Sequence, residues 1–514
     1  MPSSPAQMAL GRARSPALVL AAAVLGALCI VALSEDEQLE NLRFVQHAQD
    51  APLVSHYNYI VVGGGTSGCP LAATLSEHSR VLLLERGGLP YRNMSNQEHF
   101  TDALADTSLA SPAQRFISTD GVVNARARVL GGGSCLNAGF YTRASNEYVR
   151  TAGVTPDNGF TFDHVTGTKI GGTIFDNNGQ RHTAADFLRH ARPRGLTVVL
   201  YATVSRILFR SQEGVPYPVA YGVVFADPLG VQHRVYLRDG GKNEVILSAG
   251  TLGSPQLLML SGVGPQAHLE AHGIQVLVDQ PMVGQGVADN PMNSVFIPSP
   301  VPVGLSLVQV VGITKSGSFI EGVSGSEFGI RAAEAMRRLD RRAFRGGFIL
   351  EKILGPVSTG HIELRSTDPR ANPAVTFNYF QEAEDLERCV RGIQTIERVI
   401  QSRAFSNFTY ANTTVESIFT DSANFPVNLL PRHVNDSRSP EQYCRETVMT
   451  IWHYHGGCHV GAVVDDNYRV FGVRGLRVID SSTFRYSPGT NPQATVMMLG
   501  RYMGIKIQAE RWRK

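Results

Sequence analysis

Residues 451–461 read IWHYHGGCHVG and hold His453, His455, Cys458 and His459. Imidazole titrates closer to neutrality than any other unperturbed side chain, so such a cluster suggests a metal site or proton transfer. A zinc site would require a carboxylate or a further cysteine pair at ligand spacing. None stands nearby, and no metal is expected. His453 and His455, two residues apart, would share one face of a strand. A single histidine here can equally be a hydrogen-bonded core residue. Further along, Arg477-Val-Ile-Asp480 reads as a strand ending in a carboxylate, and Asn491-Pro492-Gln493 opens an apolar helical stretch. Asn followed by Pro suits a helix start, with Asn491 as N-cap and Pro492 at the first helical position. Such a helix, aimed at a ligand, would favour negative charge on it.

The second chemical element lies near the other end of the chain. Tyr59-Ile-Val-Val62 is a short apolar strand, followed at once by Gly63, Gly64, Gly65, Thr66, Ser67 and Gly68 as G-x-G-x-x-G, then by an apolar helix to His78. The glycines permit a tight turn, close approach of a pyrophosphate, and packing of helix on strand. The helix N-terminus adds unpaired N–H groups facing the phosphates. The next strand, Val81–Leu84, ends at Glu85, about 20 residues past the glycines, where a ribose acceptor is expected. A carboxylate there, rather than a cation, favours NAD or FAD over NADP. A second glycine patch, Arg128–Arg143 (RVLGGGSCLNAGFYTR), offers another close-approach loop through Gly131, Gly132, Gly133, Ser134, Asn137 and Gly139, which suggests a ligand too large for one loop.

These groups must be carried by a large scaffold. The chain has 514 residues, 43% hydrophobic and 18% charged, with a net charge of +3 spread along its length. That is enough for two or three domains with sizeable cores. No basic block marks a nucleic-acid partner. Arg12 and Arg14 precede an uncharged Ser15–Ser34 run closed by Glu35. It reads as a cleaved secretory signal, residues 1–34, leaving no stable membrane span. Triplets at Asn93, Asn407, Asn412 and Asn435 have the form of glycosylation acceptors, consistent with a secreted, extracellular protein. Cys29 lies in the signal; Cys69 and Cys135 read as packed thiols, and Cys389 and Cys444 could form one bridge with Cys458 left free, a pairing that the sequence leaves open. Short β-rich runs at 196–200, 204–209, 220–225, 231–237 and 245–247 read as hairpins followed by a return strand. A helix follows from Thr251 to about Ser261, with Pro255 in its first turn. Glu384–Ser402 reads as an amphipathic helix with Leu386, Val390, Ile393, Ile396 and Ile400 on one face.

Taken together, the Gly63–Gly68 loop with Glu85, the GGGSCLNAG patch, GTLGSPQLLMLSGVGP at 250–265 and WHYHGGC at 452–458 resemble the glucose-methanol-choline (GMC) oxidoreductase family. Within it the chain is most similar to the plant HOTHEAD and mandelonitrile lyase group. The resemblance runs from about Tyr57 to the C-terminus. It implies an α/β fold: a Rossmann-like FAD-binding domain built discontinuously from 57–145, 196–290 and 445–514, and a substrate domain from 146–195 and 291–444 on an antiparallel sheet. The cofactor implied is FAD. By motif position Gly63, Gly65, Thr66, Ser67, Gly68, Glu85 and Arg86 would hold its adenosine and pyrophosphate end. Val129, Gly133, Ser134, Asn137, Ala138 and Gly139 would lie near the flavin, and Val204 would meet the adenine. Trp452, Asp480, Pro492 and Gln493 would approach the ring and ribityl chain.

The resemblance also places the catalytic pair at His453 and Asn491. A lyase releasing cyanide would gain from a second imidazole, whereas neutral Asn can only hold an alcohol oxygen. Oxidation of CH–OH is therefore favoured, with His453 as general base and hydride passing to the flavin, and a small-molecule alcohol such as a long-chain hydroxy fatty acid as substrate. The alternatives are a hydroxynitrile lyase and an impaired, shortened paralogue. Between Arg143 and Gly153 roughly 40 residues, by the usual size of such domains, are missing relative to the family, and the stretch around Glu321–Ala333 is short. A monomer is expected.

Overall fold

The computed structural model describes residues 42–90, 106, 108, 110–141, 167–170, 172–301, 303, 310–314, 316–324, 346–403, 405–424, 427–432, 438–489 and 491–513. The apolar leader, Asn93, Asn435 and the segment 142–166 with its expected shortening lie outside them, as does most of the stretch after Glu321.

A six-stranded, all-parallel sheet forms the centre of the first unit, in the order Val45–His47, Leu196–Leu200, Val81–Leu84, Tyr59–Val62, Glu244–Leu247, Leu476–Val478. Its strands are apolar runs because both faces are covered. Alternation sorts them: Tyr59, Val61, Val81 and Leu83 join a helical layer, while Ile60, Val62, Leu82 and Leu84 face a second layer. The helical layer pairs Gly68–Leu75 with the C-terminal helix Gln493–Trp512. The two approach backbone to backbone: a Cβ on Gly500 would stand 2.2 Å from the Ser67 carbonyl oxygen, and one on Gly504 2.7 Å from Thr74 Cβ. The other layer is a four-stranded sheet of Thr203–Gln212, Val215–Ala226, Gln232–Leu237 and Val54–Tyr57. Segment 184–190, expected with the second domain, packs through Ala184, Ala185 and Leu188 into the helical layer. Strands Val45–His47 and Val54–Tyr57 extend this unit ahead of residue 57.

The second unit is a six-stranded antiparallel sheet in the order Met449–Thr450, Pro291–Ile297, Gly347–Ile353, Ser318–Ser324, Val310–Ile313, Gly167–Ile170. The period of two decides what each face meets. In Gly347–Ile353, Ile349 and Ile353 turn toward the helix Ala383–Ile400, which meets them with Ile393, Ile396 and Ile400. Phe348, Leu350 and Lys352 turn the other way, into a cavity. Glu351 lies under Gly392 on the helix side, fully buried, and burial lifts its carboxyl to about 8. Cys389 and Cys444 are bonded, joining that helix to Pro440–Glu446, and Cys69, Cys135 and Cys458 are free and buried. Asn407 and Asn412 are exposed.

Local readings shift in three places. Pro255 lies in the second turn of its helix, Gly250–Leu260, because Gly250 starts it with φ +77°. The last helix begins at Gln493 with Pro492 as its N-cap, so Asn491 is not the cap. No regular strand carries His453 and His455, and the residue just before them, Trp452, takes φ +59°.

Two stability outcomes are expected. Gly68→Ala would place a Cβ 1.9 Å from the Gly63 carbonyl oxygen, an overpacking expected to cost about 3 kcal/mol in chemical denaturation and to abolish flavin retention. Cys389→Ser, opening a cross-link between residues 55 apart, should cost about 4 kcal/mol in the same measurement by loop-closure entropy.

Candidate active site

The two glycine loops lean on each other. Gly131 N–H donates to the Gly64 carbonyl at 2.7 Å, and a Cβ on Gly132 (φ +59°) would stand 2.7 Å from Gly65 Cα. Only glycine permits that approach. The loops open on a cavity of about 690 Å³. Gly133 has nothing within 4 Å of where a Cβ would point, and Gly65 nothing nearer than 3.9 Å. Gly63, Gly65, Thr66, Ser67, Glu85, Arg86, Val129, Gly133, Ser134, Asn137, Ala138, Gly139 and Val204 all line this cavity, and so do Trp452, His453, Asp480, Asn491, Pro492 and Gln493. Gly68 does not; it packs under Gly63.

Several of these side chains are committed elsewhere. Glu85 is buried, its two oxygens accepting from Gly64 N–H at 2.9 Å and Gly87 N–H at 2.8 Å, and burial raises its pKa. The Arg86 guanidinium donates to Gln114 Oε1 at 2.7 Å and the Ala127 carbonyl at 3.0 Å. Ser67 Oγ donates to the Ile479 carbonyl at 2.7 Å, so no side chain caps the helix that starts at Gly68. Asp480 accepts from Gly250 N–H at 2.9 Å, Ser254 Oγ at 2.5 Å and Ser482 N–H at 2.8 Å. It thereby ties the start of the Gly250–Leu260 helix to the end of the last parallel strand, a carboxylate at a positive dipole end.

Other groups have no such commitment. Gln493 accepts from Asn137 Nδ2 through Oε1, but its Nε2 is buried and without a partner. Asn491 Oδ1 is likewise buried and unpartnered. Uncapped helix N–H groups, glycines open to the cavity and an orphaned amide donor fit a long anionic cofactor with polar ring edges.

His453 is 9% exposed. Its backbone N–H donates to Asp289 Oδ1 at 2.8 Å, and Asn290 Nδ2 lies 3.1 Å from its Nδ1. Burial, then Lys352 and His455, push its pKa well below the usual histidine value, so it is neutral at pH 7. Asp289 also accepts from Tyr379 Oη at 2.7 Å and Thr450 Oγ1 at 2.6 Å, and burial raises it to about 6. His455 is not among the cavity residues: its Nδ1–H donates to the His453 carbonyl at 3.1 Å, and its backbone pairs with Ala288 in both directions. Among the described residues no group of three His, Cys, Asp or Glu could hold a metal ion.

Sequence reasoning passed over Asp289, Asn290, Arg181, Lys352 and Glu321. Arg181, 6% exposed, donates to Asn137 Oδ1 at 2.8 Å and to the Ser134 carbonyl at 3.3 Å, holding the second glycine loop. Lys352 and Glu321 form a buried ion pair in the cavity wall. Only Asp289-Asn290 carried a signal, as two polar residues between the apolar Val287-Ala288 and the strand from Pro291.

The fold and cavity define a two-unit dinucleotide-binding protein with a histidine in the cavity. Comparison makes the class specific. Models of the GMC oxidoreductase family match residues 151–292 and 356–500. The chain is 46% identical over 540 residues to Protein HOTHEAD of Arabidopsis thaliana, covering 91% of this chain and 90% of that protein. It is 41% identical to a sinalpyl alcohol oxidase, Nec3, of Nesocodon mauritianus, covering 92% of each. To (R)-mandelonitrile lyase 3 of Prunus serotina it is 40% identical, over 91% of this chain and 88% of the other. The solved structure of pyridoxine 4-oxidase superimposes with a TM-score of 0.71 at 19% identity, over 89% of this chain and 99% of that one. The chain belongs to the GMC oxidoreductase family and is an FAD-binding oxidoreductase of that fold.

Acid should act on the site before the rest. His455 is held at about 4 by burial, and His453 also lies low. Both are charged in the unfolded chain below about 6.5. The unfolded state then binds more protons, so stability falls as pH drops from about 6.5 toward 4. His455 alone contributes a loss of about 2 kcal/mol by pH 5. His455→Asn should flatten the fall in melting temperature between pH 7 and pH 5; an unchanged slope would remove His455 from this role.

Proposed function

We propose that the protein oxidises a CH–OH donor, with His453 and Asn491 acting on the substrate oxygen. The observation that carries this reading is the pair of uncommitted polar atoms in one cavity. His453 Nε2 has no hydrogen-bond partner among the described residues, and Asn491 Oδ1 is buried without one. An alcohol is the simplest ligand that satisfies both, because a hydroxyl donates and accepts. Asn491 holds the substrate oxygen, with the hydroxyl resting on its Oδ1, and once that O–H turns to Nε2 neutral His453 removes the proton as general base. FAD, when bound, supplies the two-electron oxidant that accepts the hydride of the carbinol carbon. The residues assigned to its adenosine, pyrophosphate and ring are those given above by motif position, with Gly68 acting through packing. Met292, Val323, Phe348, Leu350 and Met449 give the substrate end of the cavity an apolar lining, which supports a long-chain hydroxy fatty acid.

The alignment with HOTHEAD runs over 540 residues, more than the 514 of this chain, which supports the reading of an internally shortened member. Exposed Asn407 and Asn412 and the apolar 15–34 run support passage through the secretory pathway.

Anaerobic mixing of the purified flavoprotein with a panel of primary and secondary alcohols should bleach the flavin. His453→Gln should slow that bleaching by about a hundredfold or more. Asn491→Ala should slow it while keeping the melting temperature, since this side chain caps no helix. Cyanide release from mandelonitrile without bleaching would replace the oxidase reading with a lyase. Flavin bound but never bleached by any alcohol, with no cyanide released, would leave an inactive, shortened paralogue.

A further inference from the structure

We infer that Asn290 is a positioning residue that decides which ring nitrogen of His453 carries the proton before substrate binds. The inference rests on the reading of His453 as the base and adds the control of its tautomer. Asn290 is 1% exposed, and each of its amide atoms has a directed partner. Gly355 N–H donates to Oδ1 at 3.2 Å. A backbone N–H can only donate, so the amide oxygen must face Gly355. The amide nitrogen then faces the opposite way, 3.2 Å from Ser487 Oγ and 3.1 Å from His453 Nδ1. Ser487 gives its own proton to the Gly489 carbonyl at 2.8 Å, so its oxygen is an acceptor toward Asn290. Both amide protons therefore point at acceptors, and one of these acceptors is Nδ1.

A neutral imidazole whose Nδ1 accepts carries its hydrogen on Nε2. The resting ring thus presents a donor to the cavity, not a base. Paired with Asn491 Oδ1, an acceptor, it can hold an alcohol oxygen from both sides without removing its proton. Proton removal at Nε2 requires the other tautomer, with hydrogen on Nδ1 and the Asn290 amide turned so that its oxygen faces the ring. In that state the substrate O–H bond breaks, its proton goes to Nε2, and the ring becomes a cation protonated at both nitrogens. Turning the amide costs the Gly355 contact and reverses the Ser487 one, leaving a buried donor unpaired. Asn290 therefore keeps the base latent and sets how often it is available. The charged and titratable groups around the ring are Lys352, His455 and Asp289, the last on the backbone N–H rather than the imidazole.

The test is nitrogen-15 NMR of the histidine-labelled holoprotein, with the His453 resonances identified as those lost in His453→Gln. The expected result is a protonated Nε2 and an unprotonated Nδ1 in the wild type. Asn290→Asp keeps an acceptor for Gly355 N–H and must accept from Nδ1–H, so its spectrum should show the reverse assignment. The carboxylate also favours the imidazolium, which should move the acid limb of alcohol-driven flavin bleaching up by about one pH unit or more. A wild-type ring protonated on Nδ1 would overturn the inference. So would an Asn290→Asp protein that binds flavin with an unchanged tautomer and an unchanged acid limb. If Asn290→Asp fails to retain flavin, the wild-type spectrum alone decides. The expected tautomer in a protein that bleaches with no alcohol would leave the Asn290 assignment standing and remove the oxidation reading.

Discussion

The carbonyl of Ile479 is the joint of this molecule. It accepts from Ser67 Oγ at 2.7 Å and from Ser248 Oγ at 3.0 Å. Two strand ends and the start of the helix Gly68–Leu75, separated by hundreds of residues, are thereby fixed at one point on the carboxyl edge of the parallel sheet. A buried hydroxyl that lost this acceptor would have to find another or pay its desolvation. Asp480, the next residue, repeats the constraint with a carboxylate that holds the start of the Gly250–Leu260 helix. The chain runs on from Asp480 to Asn491 at the cavity, and the His453 segment is held there by Asp289 and by Thr251 Oγ1 on the Tyr454 carbonyl. The carboxyl edge of an open parallel sheet is where α/β proteins bind their ligands.

The cavity above that edge lies between two surfaces of different character. The parallel unit contributes backbone, through glycines that let two loops touch and still leave room above them. The antiparallel unit contributes side chains, alternating between the helix it packs on and the cavity it faces. Phe348 and Leu350 make that face apolar, and Lys352 with Glu321 places one ion pair in it. Low dielectric around these groups explains why so many titratable residues lie far from their ordinary range. His453 and His455 are pressed toward neutrality, and Asp289 and Glu351 toward the protonated form, each chiefly by burial. Burial, with Lys352 beside it, keeps the His453 imidazole neutral at physiological pH. Which of its nitrogens serves is settled by the hydrogen bond on the other side of the ring.

Much of the nucleotide half was legible from the chain alone because its signals are local. Strand, G-x-G-x-x-G, helix, strand and Glu85 follow one another within a single βαβ unit, and apolar runs in a doubly covered sheet have few alternatives. The amphipathic face of 383–400 was equally readable from its period. Asn491-Pro492 is a strong local pattern for a helix cap. Tertiary contacts instead set the helix start one residue later and turned the Asn side chain to the cavity. The strand expected under His453 and His455 is not formed: beyond an isolated bridge at His455 the segment has no regular pairing, and only His453 of the two lines the cavity.

The amino-acid order by itself therefore determined the glycine loops, the acid after the second strand, the helix periods and the identity of the histidine cluster, since each depends on neighbours within a turn or a strand. Only the folded chain decided which cysteines are joined, and that Asn290, Arg181, Lys352 and Glu321 belong to the site at all. Those outcomes rest on contacts between residues far apart in sequence, made by burial and directed hydrogen bonds that no local pattern encodes.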